Sequence, residues 1–197
     1  MAAATATDEG IDFIICEKND KPQSTRHWIG AVDTAQQKAA GVEINHGELI
    51  NELARYASYK CDMDVWKVWI NESAEMLAYL DPIMEASLGL TATVDTEKFD
   101  KQLHYTPMVQ HMYLEDPALG TRPEKERNEV LYEYIQSKGK DITFKHKLVK
   151  LVREGGTEGR VTGAIFETDN GYVQIDASKG VLLTTGGYAG NAVMSKA

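Results

Sequence analysis

The chain has 197 residues, 43% hydrophobic and 26% charged, with a net charge of −9 at pH 7. That length supports one domain with a sizeable core, and the balance is globular rather than disordered. The acidity argues against a nucleic-acid partner, and no apolar run approaches the roughly 20 residues needed for a transmembrane segment. Cys16 and Cys61 lie far apart and form no C-x-x-C, so no metal or redox motif is supported.

Residues 1–9 are alanine-rich and predict the last turns of a helix, with Gly10 as its C-terminal cap. Residues 11–16 are apolar but for Asp12 and run into Glu17-Lys18, the pattern of a buried parallel strand. A helix tail feeding a buried strand predicts further chain upstream. Residues 19–41 lack strong periodicity and predict loop with a short helix. Asn45 followed by Glu48 is a capping-box-like start, after which Leu49, Ile50, Leu53, Ala54 and Ala57 recur at helical spacing.

Asp62 can cap a second helix that carries Val65, Trp66, Trp69, Ile70, Ala74, Leu77 and Leu80, with Pro82 near its end. Residues 88–118 carry no clear pattern. Thr121 with Glu124 predicts the start of a third helix that continues to about Ser137, closed by Gly139. Beyond Asp141 the character becomes β, with a short strand at 142–144 and an apolar-rich stretch at 147–153. Strands at 161–167 and 172–175 flank Asn170-Gly171, a strong hairpin signal. Residues 179–184 predict a last buried strand leading into Thr184-Thr185-Gly186-Gly187. The order predicts an α/β class: a Rossmann-like domain with a parallel sheet, a small antiparallel β-meander and a helical segment.

Three places could carry chemistry. Glu17 ends a predicted strand, where a carboxylate, which only accepts, can take both hydroxyls of a ribose. Read alone, an ordinary surface glutamate is equally open. Gly186-Gly187 follows a predicted strand at its C-terminal edge, where ligands of open α/β sheets bind and where glycine lets the backbone come close. The loop from Ser24-Thr25 through Ile29-Gly30-Ala31 offers hydroxyls and amides to a phosphate or a flat ring. Taken alone, a solvated loop is the favoured reading of that segment.

Taken together, Glu17-Lys18, the loop at 24–31, the Gly159-Arg160-Val161-Thr162-Gly163 turn, and Gly180 to Asn191 with its Thr184-Thr185-Gly186-Gly187 resemble one family. This is the FAD-binding region of the fumarate reductase/succinate dehydrogenase flavoproteins, with flavocytochrome c, urocanate reductase and ketosteroid dehydrogenase relatives. The resemblance covers almost the whole chain and only part of the family's length. It implies that Glu17 binds the adenosine ribose with Lys18 alongside, and that Ser24 and Thr25 lie near the pyrophosphate and flavin. Ile29, Gly30 and Ala31 would pass the isoalloxazine ring, Leu148 would meet adenine through its backbone, and Thr184, Thr185, Gly186 and Gly187 would pack on the cofactor through main chain.

The resemblance also implies that residues 1–197 are a partial FAD-binding domain, truncated at both ends. The first strand with its G-x-G-x-x-G loop, and the downstream substrate-clamping domain with the catalytic residues, fall outside it, so no catalytic residue is named. The parent would be a flavin-dependent oxidoreductase that reduces an activated C=C bond of a small-molecule unsaturated substrate, using an unidentified electron donor, or runs the reverse dehydrogenation.

The loop departs from the family at Gln23-Ser24-Thr25, where a Gly-Gly pair is usual. Ser24 stands where membrane-bound relatives carry a flavin-linked histidine, which implies non-covalent FAD, with His27 three residues on. His104, His111 and His146 have no ligand spacing and read as surface or satisfied core histidines. Two other readings are an aspartate oxidase or disulfide reductase relative, and a non-enzymatic helical interaction module built around Trp66 and Trp69.

Overall fold

The computed structural model describes residues 1–23, 27–96, 105, 107–187 and 190–196. In chain order it contains α1 (Ala2–Asp8), β1 (Ile15–Cys16), β2 (Ile29–Gly30), α2 (Ala35–Ala39), α3 (His46–Tyr56), α4 (Met63–Leu88), β3 (Thr93–Val94), β4 (Gln110–Met112), α5 (Arg127–Ser137), β5 (Ile142–Thr143), β6 (Lys147–Gly155), β7 (Glu158–Thr168), β8 (Gly171–Asp176) and a 3-10 turn at Met194–Lys196. The chain divides into two compact units, Met1–Phe13 with Pro22–Asp141, and Ile14–Lys21 with Ile142–Ala197. The fold is mixed α/β, with one parallel strand pair, two antiparallel sheets and helices, the class predicted from the sequence.

In the first unit, local signals place the helix ends. Gly10 adopts φ +65° after α1, and the N–H groups of Gly10 and Ile11 bond back to the carbonyls of Thr7 and Ala6. Asn45 Oδ1 accepts the Glu48 N–H at 3.1 Å and starts α3. The helix buries Leu49, which joins Val32 and Ile70 in the core, with Trp69, Ile44 and Leu53 packed around them.

Two helices differ from their predicted spans. The second expected helix, α4, does not stop near Pro82 but continues to Leu88 and closes on Gly89 in the left-handed conformation. The proline removes one backbone donor, and burial of Leu77, Leu80, Ile83 and Met84 along the same helix offsets that loss. Pro82 itself is exposed. Pro82→Ala is therefore expected to raise unfolding stability by about 1 kcal/mol, measured by urea denaturation. Val65, expected in the core, is exposed on the first turn of α4.

The third expected helix, α5, begins after Glu126 rather than at Thr121. Glu126 and Glu129 form the capping box, while Thr121 is engaged in a bridge with Asp116. Proline at 123 disfavours helical backbone at the residue before it.

The stretches at 19–41 and 88–118 contribute a sheet that no local pattern announced. Its order is β2-β4-β3, with Ile29 opposite His111 and Gly30 opposite Gln110, antiparallel. His111 is fully buried. Its Nδ1–H donates to the Val109 carbonyl at 3.0 Å, which can only accept. Nε2 therefore accepts from the Thr34 hydroxyl at 2.8 Å, and that oxygen accepts the Gln37 N–H.

Desolvation holds the His111 imidazole below its ordinary pKa. The folded chain thus refuses a proton that the unfolded chain takes. Stability is complete above about pH 7 and is expected to fall as the pH drops through about 6.5, the unfolded value. Urea midpoints between about pH 7 and pH 5 test this. The loss should be smaller in His111→Gln.

The second unit contains β1 and β5, paired parallel with Ile15 opposite Ile142 and Cys16 opposite Thr143. It also contains the antiparallel meander β6-β7-β8. The tight turn between β7 and β8 sits one residue upstream of the expected Asn170-Gly171. Thr168 pairs with Gly171, so Asp169 and Asn170 are the loop residues. Only Gly171 has positive φ, +108°, whereas a type I′ turn needs both central residues there.

Two strand expectations are corrected. The strand expected at 11–16 is restricted to Ile15–Cys16, and Ile14 is 65% exposed. Residues 179–184 form no strand, and Leu182 and Leu183 are 73% and 51% exposed. A buried parallel strand needs partners on its edges and cover on both faces. Among the described residues β1 pairs with β5 alone, and no strand pairs with 179–184.

Candidate functional site

The Glu17 region is built by the parallel pair. The Glu17 N–H donates to the Thr143 carbonyl at 3.0 Å, and its own carbonyl accepts the His146 N–H at 2.9 Å. The Lys145 N–H donates to the Asn19 carbonyl at 2.9 Å, so the turn after β1 is tied to the turn after β5. Glu17 is half-buried, and Lys18 beside it is exposed. Oε1 of Glu17 accepts both the Asn19 backbone N–H, at 2.9 Å, and the Asn19 side-chain amide, at 2.7 Å. Oε2 has no protein donor among the described residues. The carboxylate is held in one orientation through one oxygen, with the other available. Asn19 was missed in the sequence reading, although its signal was local: an amide two residues beyond an acid in a turn.

Leu148 lies in β6 opposite Phe166 of β7. The register shifts between Leu148 and Lys150, a bulge that leaves Val149 without a partner. Since β6 is the outer strand of the meander, backbone groups on its far edge are not taken by another strand among the described residues. His146 next to it donates Nδ1–H to the Phe144 carbonyl at 2.8 Å and tilts against Phe166.

Thr184, Thr185, Gly186 and Gly187 form an exposed segment without regular structure. Gly186 needs to be glycine for its own backbone, with φ +71°. Gly187 does not: a Cβ there would meet nothing within 4 Å, and its φ lies outside the left-handed range. Among the described residues, nothing therefore demands glycine at 187.

In the first unit, Ile29 and Ala31 point into the core, at 8% and 0% exposure, while Gly30 between them is exposed. The Ala31 N–H donates to the Val109 carbonyl at 2.9 Å, and the Val32 N–H to Ser73 Oγ at 2.9 Å. Gln37 Nε2 donates to the carbonyls of Ala31 and Met108. The Gly30 carbonyl accepts the Trp69 indole N–H at 2.9 Å. A Cβ on Gly30 would come within 3.2 Å of the Trp69 ring.

Gly30→Ala is expected to displace that ring and destabilise the chain by about 1–2 kcal/mol in urea denaturation. An unchanged midpoint would show that the indole can yield.

Ser24 and Thr25 lie outside the described residues. His27 Nδ1 stands 3.7 Å from Glu126 Oε2, and His46 Nε2 pairs with Asp33 at 2.7 Å. His104 also lies outside the described residues. Trp66 meets Trp69 edge-on at 6.0 Å; both are half-buried, and the Trp69 indole N–H is bound to the chain's own Gly30. Among the described residues no group of three or more His, Cys, Asp or Glu is placed to hold a metal ion. No helix among them is long and apolar enough to cross a membrane.

The family described as FAD binding domain matches residues 1–197. A curated relative, the vinyl phenol reductase of Lactiplantibacillus plantarum, is 22% identical over 98% of this chain. The chain spans 36% of that relative's length. Among solved structures, a flavocytochrome c3 fumarate reductase in its open conformation superposes with a TM-score of 0.70 at 24% identity, covering 94% of this chain and 31% of that one. The 3-ketosteroid-Δ4-(5α)-dehydrogenase of Rhodococcus jostii gives a TM-score of 0.72 at 19% identity, covering 99% of this chain and 45% of the other. The 3-ketosteroid Δ1-dehydrogenase of Sterolibacterium denitrificans gives 0.72 at 15% identity, over 99% and 47%.

Proposed function

Since the chain belongs to the FAD-binding domain family, we propose that it is the FAD-binding portion of a flavin-dependent oxidoreductase that reduces an activated C=C bond or runs the reverse dehydrogenation. The observation that carries the reading is the Glu17 carboxylate at the end of β1, with Oε1 clamped by Asn19 and Oε2 open. An acceptor fixed in this way suits the adjacent hydroxyls of an adenosine ribose, and Lys18 adds a cation beside it. The bulged outer edge of β6 at Leu148 suits recognition of adenine by main chain. Glycine at 187, which no contact among the described residues requires, suits close approach of a ligand. Ile29, Gly30 and Ala31 present a pinned backbone edge to the flavin ring, and Ser24 and Thr25 precede them as hydroxyl donors.

FAD bound here supplies hydride transfer between its flavin and the substrate carbon. The residues of this chain bind and orient it. With serine at position 24 the attachment is non-covalent. The substrate is a small unsaturated molecule. The residues that clamp and protonate it, like the electron donor, belong to the parent protein outside these 197 residues.

The sequence contains no G-x-G-x-x-G. In this reading the amides and helix dipole that hold the pyrophosphate come from chain beyond these residues. Isothermal titration of the 197-residue chain is therefore expected to give FAD binding weaker than micromolar. Micromolar or tighter binding would show that the chain holds the pyrophosphate unaided. The oxidoreductase reading is tested on the protein of the complete reading frame, assayed with a reduced dye against alkenes activated by carboxylate, aryl or ketone groups. Turnover of none of them, in either direction, would count against it.

A further inference from the structure

We propose that Trp69 is the positioning residue that presents the Gly30 peptide edge to the isoalloxazine ring, with the indole as the wall beside it. This rests on the FAD reading above.

β2 is the outer strand of its sheet. Ile29 and Ala31 face their partners in hydrogen-bonded register, as the Ala31 N–H to Val109 bond marks. Gly30 lies between them, so its N–H and C=O both turn outward. The C=O is taken by the Trp69 indole N–H at 2.9 Å. The N–H has no acceptor among the described residues.

The Gly30–Ala31 peptide is thus held from both sides, which fixes the orientation of the preceding peptide and its open Gly30 N–H. Trp69 donates to the Gly30 oxygen, and the Ala31 N–H donates to Val109. The indole is in turn held by that bond and by Trp66, edge-on at an interplanar angle of 78°. The absent side chain at 30 is required by the Trp69 ring, 3.2 Å from where a Cβ would stand. Gly30 does not need glycine for a left-handed φ. The result is an outward amide beside a fixed, half-buried aromatic plane. A flat heterocycle with acceptor atoms along its edge matches both features; with adenine assigned to the β6 edge at Leu148 in the reading above, the isoalloxazine is the remaining ring of FAD that has them.

The test is an NMR titration of the 15N-labelled chain with FAD, FMN and ADP, each carried to millimolar concentration so that weak binding is visible. FAD and FMN are expected to shift the Gly30 amide and the Trp69 indole N–H. ADP, which lacks the ring, should shift the amides of Glu17 and Asn19 and leave those two in place.

In Trp69→Phe, which keeps a ring and loses the donor, the Kd for FAD and FMN should rise about fivefold while that for ADP stays within about twofold. Equal losses for FAD and ADP would reduce Trp69 to a general packing role and overturn the proposal. If FAD moved Glu17 and Asn19 but not Trp69 or Gly30, the proposal would fall and the FAD reading would stand. If none of the three ligands moved any of these four residues, this inference would fall, and the FAD reading would be decided by the same titration of the protein of the complete reading frame. Should the variant fail to fold by circular dichroism, the wild-type shifts decide alone.

Discussion

Replacing Glu17 by alanine is expected to weaken FAD binding by the complete protein roughly 100-fold, equivalent to about 3 kcal/mol. The estimate follows from two hydroxyl donors to an ionised acceptor, each worth about 1.5 kcal/mol at the low end for charged partners. Glu17→Gln keeps the shape, loses the charge, and puts a donor where an acceptor is needed, so it should recover only part of the affinity. Asn19→Ala should cost less, about fivefold, because the backbone N–H of residue 19 still holds Oε1 when the side-chain amide is gone. The ordering Glu17→Ala, then Glu17→Gln, then Asn19→Ala is the informative result. An Asn19 variant as damaged as Glu17→Ala would mean that the turn, rather than the carboxylate, makes the site. FAD affinity by fluorescence titration of the apoprotein gives all three.

The second large effect is structural and falls on Asp81. One carboxylate oxygen accepts the Tyr113 hydroxyl at 2.7 Å and the Ala92 N–H at 3.1 Å. The other accepts the side-chain amide of Gln36. Tyr113 and Ala92 are buried, and desolvation together with the Asp81 bond pushes the Tyr113 phenol well above its ordinary pKa. Removing the carboxylate leaves a buried hydroxyl and a buried amide without their acceptor.

Asp81→Ala is therefore expected to lower unfolding stability by about 3 kcal/mol, a large part of the margin of a small domain. Asp81→Asn retains one acceptor oxygen and should cost about 1 kcal/mol. Urea denaturation followed by circular dichroism measures both. A loss below about 1 kcal/mol in Asp81→Ala would show that water reaches Tyr113. The effect also reaches β2. Gln36 is adjacent to Gln37, whose amide holds the Ala31 carbonyl, so the alanine variant should loosen β2 as well.

Several features could be read from neighbouring residues. The Gly10 cap, the Asn45–Glu48 start of α3, the meander around residues 161–175 and the acid at the end of β1 all depend on groups within a few positions of one another. Where two local signals compete, the sequence alone does not choose between them. Thr121–Glu124 and Glu126–Glu129 are both plausible starts for α5, and the second one forms. Asp169-Asn170 and Asn170-Gly171 are rival turns, and the dihedral that glycine tolerates selected the first. Pro82 looked like an ending because proline removes a donor. The apolar face on both sides of it keeps the helix intact.

The sequence by itself determined the class of the fold and the glutamate at the end of β1, because periodicity, caps and charge type are properties of short windows. Tertiary structure alone decided that Ile29 pairs with His111 across 82 positions, that an indole from α4 closes on Gly30, and that residues 182 and 183 stand exposed rather than in a sheet. Each of these turns on which distant group supplies a backbone partner or a covering face. An apolar stretch states the demand for such a partner without saying where along the chain it is met.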